Sequence, residues 1–204
     1  MDKFYVYRPL LDMLGLSEGT DQGRGYNETL GYGAYTGGDV SLVTMTLAEV
    51  DKLQTKMLAH KKNKWKSSAV GRYQVVRTTL RSIKKTLNWP DDMLFNKDTQ
   101  DTVGAFLLGR RGIDDYLAGE LPEDNMLIHL AQEWASLPTP SGDGYYTGQY
   151  ASLTPEKVRA VLAECKARHM TSQVAQIEKL SAGFTAEELK TIARFLKKVL
   201  AEIS

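Results

Sequence analysis

The chain has 204 residues, 42% of them hydrophobic, with a formal net charge of +1. That is enough to bury one ordinary globular core, and too balanced in charge for a polycation that coats nucleic acid. The single Cys165 excludes an internal disulfide framework, and His60, His129 and His169 are too scattered to form a zinc ligand set, so neither a metal nor a cofactor is expected. Arg8, Pro9 and Asp12 interrupt the first apolar stretch, which is not the pattern of a secretory signal. No uncharged run reaches the roughly 18 to 20 residues of a membrane span. Synthesis in a cytoplasm is therefore the expectation.

In chain order the pattern is mainly helical. Leu10, Leu11, Leu14 and Leu16 predict a buried stripe on a first helix that ends at Glu18, with Gly19 as its C-cap signal. Gly31 to Val43 is rich in Gly, Tyr and Thr and reads as a loop with a short hairpin. Thr46 and Glu49 form a capping box for a helix carrying Leu47, Val50, Leu53 and Met57 to about His60. Val76, Leu80, Ile83 and Leu87 define the next helical face, and Asn96 caps a helix through Val103, Phe106 and Leu107. Pro122 opens another through Met126, Leu127, Leu130 and Trp134. After the turn-rich loop Leu137 to Gly148, Thr154 and Pro155 start a helix whose inner face is Val158, Val161, Leu162 and Cys165. From about Met170 the composition changes. Thr185 and Glu188 cap a last helix with Leu189, Ile192, Leu196, Val199 and Ile203 opposite Lys190, Arg194, Lys197 and Lys198. The expected division is a main domain over 1–168 and an amphipathic helical extension over 169–204.

Three stretches carry candidate chemistry. Glu18 is an anionic residue at the negative end of a helix dipole, which costs a few tenths to about 1 kcal/mol. Burial against leucines would disfavour the charge further, so both effects favour a carboxylic acid that keeps its proton. An ordinary surface glutamate is the competing reading. In SSAVGRYQ, Gly71 permits close backbone approach, while Arg72, Tyr73 and Gln74 present a cation, an aromatic edge and an amide suited to sugar hydroxyl and acetamido groups. A plain helix junction would use the same residues. In EWASLPTPSGDGYYTGQ, Trp134 precedes a loop bearing Tyr145 and Tyr146, aromatics of the kind that stack on ligands, although Trp134 reads equally as core.

SEGTD at Ser17 to Asp21, the Gly31–Tyr32 pair, AVGRYQ at Ala69 to Gln74 and WASLP at Trp134 to Pro138 occur in an order and spacing that resemble the bacteriophage lambda endolysin family. The resemblance spans about Leu10 to Gln149 and implies a lysozyme-like α+β fold, mainly α, with a small β-hairpin lobe. It implies a lytic transglycosylase that cleaves the bond between N-acetylmuramic acid and N-acetylglucosamine, with Glu18 as the catalytic residue. Substrate contacts are expected from Tyr32, Arg72, Tyr73, Gln74, Trp134 and Tyr145. The partner would be peptidoglycan glycan strands, met in the periplasm after release from the host cytoplasm.

Two alternatives remain open: a muramidase that uses water on the same bond, and a silent glycan-binding phage protein. Asp21, Asp39, Glu49 and Asp143 are the conceivable second carboxylates, with turn and cap roles as the other reading of Asp21 and Asp143. Lys52, Lys56, Lys61, Lys62, Lys64, Lys66, Arg72, Arg77, Arg81, Lys84 and Lys85, opposed only by Asp51, read as a cationic lip for an acidic polymer. Nucleic acid is not an expected partner, because the stretch has no interleaved stacking aromatics apart from Trp65 and Tyr73 and no DNA-reading motif. The last helix has two readings: docking or pairing through its apolar seam, and contact with anionic membrane or lipopolysaccharide through its basic face.

Overall fold

The computed structural model describes residues 2–203, without the side chains of residues 200, 202 and 203. Among the described residues the α-helices are α1 (Arg8–Ser17), α2 (Leu47–Ala59), α3 (Arg77–Thr86), α4 (Lys97–Arg110), α5 (Ile113–Ala118), α6 (Glu123–Glu133), α7 (Pro155–Ser181) and α8 (Ala186–Ile203). The fold is mainly helical, and none of these helices is long and apolar enough to cross a membrane.

Local chemistry sets the helix ends. Thr46 and Glu49 make both reciprocal bonds of the capping box, Asn96 accepts from the Thr99 amide, and Pro122 stands immediately before α6. The six-residue α5 had no separate expectation, since it is too short to show a helical period. α1 is the central strut, packing on both α7 and α4. Leu10, Leu11 and Leu14 are fully buried there, but Leu16 is 56% exposed, so the expected stripe is one residue narrower.

The expected hairpin does not form in Gly31 to Val43, which is a chain of turns followed by a short 3-10 segment, Leu42–Thr44. Extended pairing is reduced to isolated antiparallel bridges, Thr29 with Val70 and Val70 with Val75 among them. Val70 and Val75 exchange both backbone bonds, at 3.1 and 3.0 Å, around the turn Gly71 to Gln74. Gly71 sits at φ 76° in that turn, a conformation that favours glycine. The small β element is thus built on the AVGRYQ segment and not on the Gly-Tyr loop.

α7 runs without a break across 168 and 169 to Ser181. Its apolar contacts end near Cys165, which is buried, while Met170, Val174, Ile177 and Leu180 are exposed. α8 begins with the Thr185–Glu188 capping bonds and leaves Leu189, Ile192, Phe195 and Leu196 exposed. Ile203, the last of the expected apolar series, lies outside the described side chains.

Candidate active site

Glu18 is the C-cap of α1, its amide donating to the Leu14 carbonyl at 2.9 Å, and Gly19 follows at φ 71°. The helix therefore ends as its sequence predicts, and the carboxylate lies at the negative pole of the α1 dipole. The side chain is half-buried. Burial pushes the carboxyl pKa above the ordinary glutamate range, opposed by one hydrogen bond from the Ser136 hydroxyl to Glu18 Oε1 at 2.6 Å.

Ser136 is itself positioned. Its Oγ lies 3.1 Å from Ser17 Oγ, and its carbonyl accepts from the Ser152 amide at 2.8 Å and from the Ser152 hydroxyl at 3.1 Å. The loop after α6 is in this way tied to the end of α1 and to the approach to α7. Glu18 faces a cleft of about 520 Å³ that Leu30, Ser67, Ala69, Tyr73, Gln74, Glu133, Trp134, Ser136 and Gln149 help to line. Its volume and mixed lining suit an extended polar ligand.

The turn at Gly71 to Gln74 forms one wall and is fixed by a buried polar network. Gln100 accepts from the Arg72 amide at 3.0 Å and donates to the carbonyls of Tyr26 and Phe95, both at 2.9 Å. Asp101 accepts from Tyr73 Oη at 2.6 Å, Tyr26 Oη at 2.7 Å and Arg8 Nη1 at 2.8 Å. Arg72 makes a two-pronged pair with Asp21, at 2.8 and 2.6 Å, and reaches Asp12 at 3.0 Å. The pair passes so close over α1 that a Cβ added at Gly15 would lie 2.5 Å from Asp21 Oδ2 and 2.6 Å from Arg72 Nε.

The structure brings together Glu18, Tyr73, Gln74 and Trp134 in the cleft lining. Tyr73 and Trp134 are 2% and 4% exposed, so they contribute shape more than free polar groups. The Tyr73 hydroxyl is committed to Asp101, and the Gln74 amide donates to the Gly71 carbonyl at 2.9 Å. Arg72 is directed away from the cleft lining into its carboxylate pairs. Tyr32 is 71% exposed on the loop beside Gly19. Tyr145 is 44% exposed, edge-on to Tyr146, and outside the residues that line the cleft. A separate depression between α2 and α3, lined by Asp51, Arg81, Lys84 and Asp91, does not include Glu18.

A family model described as Endolysin matches residues 8–165. The chain belongs to the endolysin family. It is similar to the endolysin of Escherichia phage lambda, with 33% identity over 144 residues, covering 70% of this chain and 80% of the relative. No solved structure gives a significant match. The match of the family model ends where α7 leaves the core.

Within this endolysin-family fold, the conceivable second carboxylates are engaged elsewhere. Asp21 is paired with Arg72, Asp39 with Arg24, and Glu49 closes the capping box. Asp143 accepts from the Ser141 hydroxyl within its own loop. Glu133, which sequence reasoning passed over, does line the cleft, and it accepts from Arg111 Nε at 2.7 Å. Ser136 was also missed as a partner of Glu18. The WASLP motif contains it, but a serine 118 residues away carries no local signal of that contact. Among the described residues no group of His, Cys, Asp and Glu is arranged to hold a metal ion.

Proposed function

We propose that the protein is a peptidoglycan lytic transglycosylase in which Glu18 acts first as acid and then as base. The observation that carries this reading is the Glu18 carboxyl, its pKa raised by burial, in a cleft whose other lining carboxylate, Glu133, is held by Arg111. Glu18 gives its proton to the oxygen that links N-acetylmuramic acid to N-acetylglucosamine, and the bond from C1 to that oxygen breaks. The resulting carboxylate takes the proton from the muramic C6 hydroxyl as O6 bonds to C1, which leaves a 1,6-anhydro end. Because the nucleophile belongs to the same sugar, its effective concentration is high and no positioned water is needed. A hydrolase would use a second carboxylate, about 5 Å away as a nucleophile or about 6.5 to 9.5 Å away to activate water.

Digestion of purified Gram-negative peptidoglycan, followed by mass spectrometry of the soluble muropeptides, tests the reading. Anhydro-muramyl ends are expected, and reducing muramic ends would replace the transglycosylase with a muramidase. Release of nothing, with wall binding intact, would leave a silent binding protein. Muramidase chemistry has one observation in its favour, the presence of Glu133 in the cleft. Glu133→Gln keeps an oxygen for Arg111 and is expected to retain most turnover; loss of turnover by a hundredfold or more would make Glu133 the water-activating base.

Ser136→Ala provides a pH prediction. The Ser136 hydrogen bond favours the ionised form of Glu18, so its removal raises the carboxyl pKa further. Activity requires the protonated acid and falls as pH rises through that pKa. The alkaline limb of the rate profile is therefore expected to move to higher pH in Ser136→Ala, and a limb that stays in place would contradict the coupling.

The readings of α8 as a docking or membrane element belong to the same proposal. Its exposed apolar face, opposite Lys190, Arg194, Lys197 and Lys198, supports contact with an anionic membrane or lipopolysaccharide. Truncation after Met170 is expected to reduce binding to anionic vesicles, and unchanged vesicle binding would remove that role.

A further inference from the structure

The cationic lip seen in the sequence separates into two kinds of residue once folded. Arg77 and Arg81 are paired with Asp51, Lys84 is paired with Asp91, and Arg72 is internal. Lys52, Lys56, Lys61, Lys62, Lys64, Lys66 and Lys85, by contrast, are exposed and make no ion pair among the described residues, and Lys61, Lys62, Lys64 and Lys66 lie together in the loop after α2. Between them Trp65 is 79% exposed. An indole left in water at this level forgoes most of its burial energy.

The loop that displays these groups is built, not loose. Asn63 is 1% exposed, and its Nδ2 donates to the carbonyls of Met57 and Ser67, both at 2.8 Å. The Asn63 amide donates to the His60 carbonyl at 2.9 Å, and the Lys66 amide returns to the Asn63 carbonyl at 3.3 Å with Lys66 at φ 50°. Anchoring Asn63 inward turns Lys62, Lys64, Trp65 and Lys66 outward. The loop is also continuous with the cleft, because Ser67, two residues after Trp65, is part of the cleft lining. At the start of the loop the His60 ring packs edge-on against Tyr35 at 5.6 Å.

We propose that Trp65 and the lysines at 61, 62, 64 and 66 form an outer binding platform for the peptidoglycan strand, beyond the part of the cleft that holds the scissile bond. The proposal rests on the peptidoglycan reading above. The polymer has both complementary features: sugar rings whose C–H faces stack on an indole, and carboxylates on the muramyl stem peptides at intervals along the strand. A preformed loop loses little entropy when it is engaged. The lysines supply an attraction that salt screens, whereas the indole contact is largely independent of salt.

The test uses the full chain with Glu18→Gln in the background, so that binding is read without turnover, and soluble uncrosslinked glycan strands carrying stem peptides as the probe. Trp65→Ala is expected to weaken binding about tenfold, with Trp65→Phe intermediate. Replacing the four lysines with Gln is expected to flatten the salt dependence of binding. With the catalytic glutamate restored, Trp65→Ala is expected to raise KM on the polymer more than it lowers kcat. Unchanged strand affinity in Trp65→Ala would overturn the platform. So would Trp65-dependent binding to phosphatidylglycerol vesicles with strand binding unaffected, which would assign the loop to a membrane surface. Turnover persisting in Glu18→Gln would refute the catalytic reading alone, because the binding comparison does not depend on it.

Discussion

Glu18→Gln is expected to fold normally and to release muropeptides about a thousandfold more slowly than wild type. The side chain is nearly isosteric, and its Oε1 can still accept from Ser136, so the network that joins the end of α1 to Ser136 and Ser152 is retained. What is lost is the acid proton given to the glycosidic oxygen and the carboxylate that then takes the proton of the muramic C6 hydroxyl. The stability consequence has a definite sign. A carboxyl whose folded pKa is raised contributes stability that is fully present below its unfolded pKa and is lost as pH rises through the folded pKa. Above its unfolded pKa Glu18 therefore works against folding, and the neutral Gln does not. The variant should melt at or above the wild-type temperature at pH 7, with the difference shrinking below pH 4. A Gln variant that melts well below wild type at pH 7 would mean that the carboxylate has a structural partner that the geometry does not include.

Arg72→Ala is expected to have the largest effect on stability, a loss of about 3 kcal/mol. The guanidinium side chain is only 10% exposed, and its removal strands Asp21, which is 24% exposed, without its two-pronged partner. Arg72 also lies over the rings of Tyr26 and Tyr73, at 5.3 and 5.9 Å, so packing is lost together with charge. A drop in melting temperature of about 10 °C would follow for a chain of this size. Arg72→Lys should recover only part of it, because an ammonium cannot reproduce the fork that holds both Asp21 oxygens while reaching Asp12. Activity should fall along with stability, since the turn that Arg72 belongs to carries Tyr73 and Gln74 into the cleft wall. A thermal scan that shows less than about 1 kcal/mol of change would place the pair among weak surface bridges.

The contrast between Glu18 and Arg72 shows what is legible in the sequence. Glu18 can be read from one turn of helix, because a leucine stripe, a terminal carboxylate and a following glycine are all local. The capping residues Thr46, Glu49 and Asn96 are legible for the same reason. The direction of Arg72 is set by Asp12 and Asp21, 60 and 51 positions away, and no spacing rule near GRYQ announces them. Ser136, Gln149 and Glu133 reach the cleft through the packing of α6 and its following loop, which is again a nonlocal matter. The misplaced hairpin has a similar cause. A Gly-rich stretch signals turns but not pairing, and the Thr29–Val70 bridge joins residues far apart in the chain. Leu16 faces outward because it stands off the three-four spacing of Leu10, Leu11 and Leu14, while Ser17, the next residue, returns to the buried face.

The central claim is that the fold holds Glu18 protonated where an ordinary glutamate would be ionised. Titration of the Glu18 carboxyl carbon by NMR in the substrate-free protein, compared with the alkaline limb of the rate profile, tests it most directly. The expected result is a carboxyl that titrates above the ordinary glutamate range, at the same pH at which activity declines. A Glu18 that titrates at or below that range, or at a pH unrelated to the loss of activity, would contradict the account.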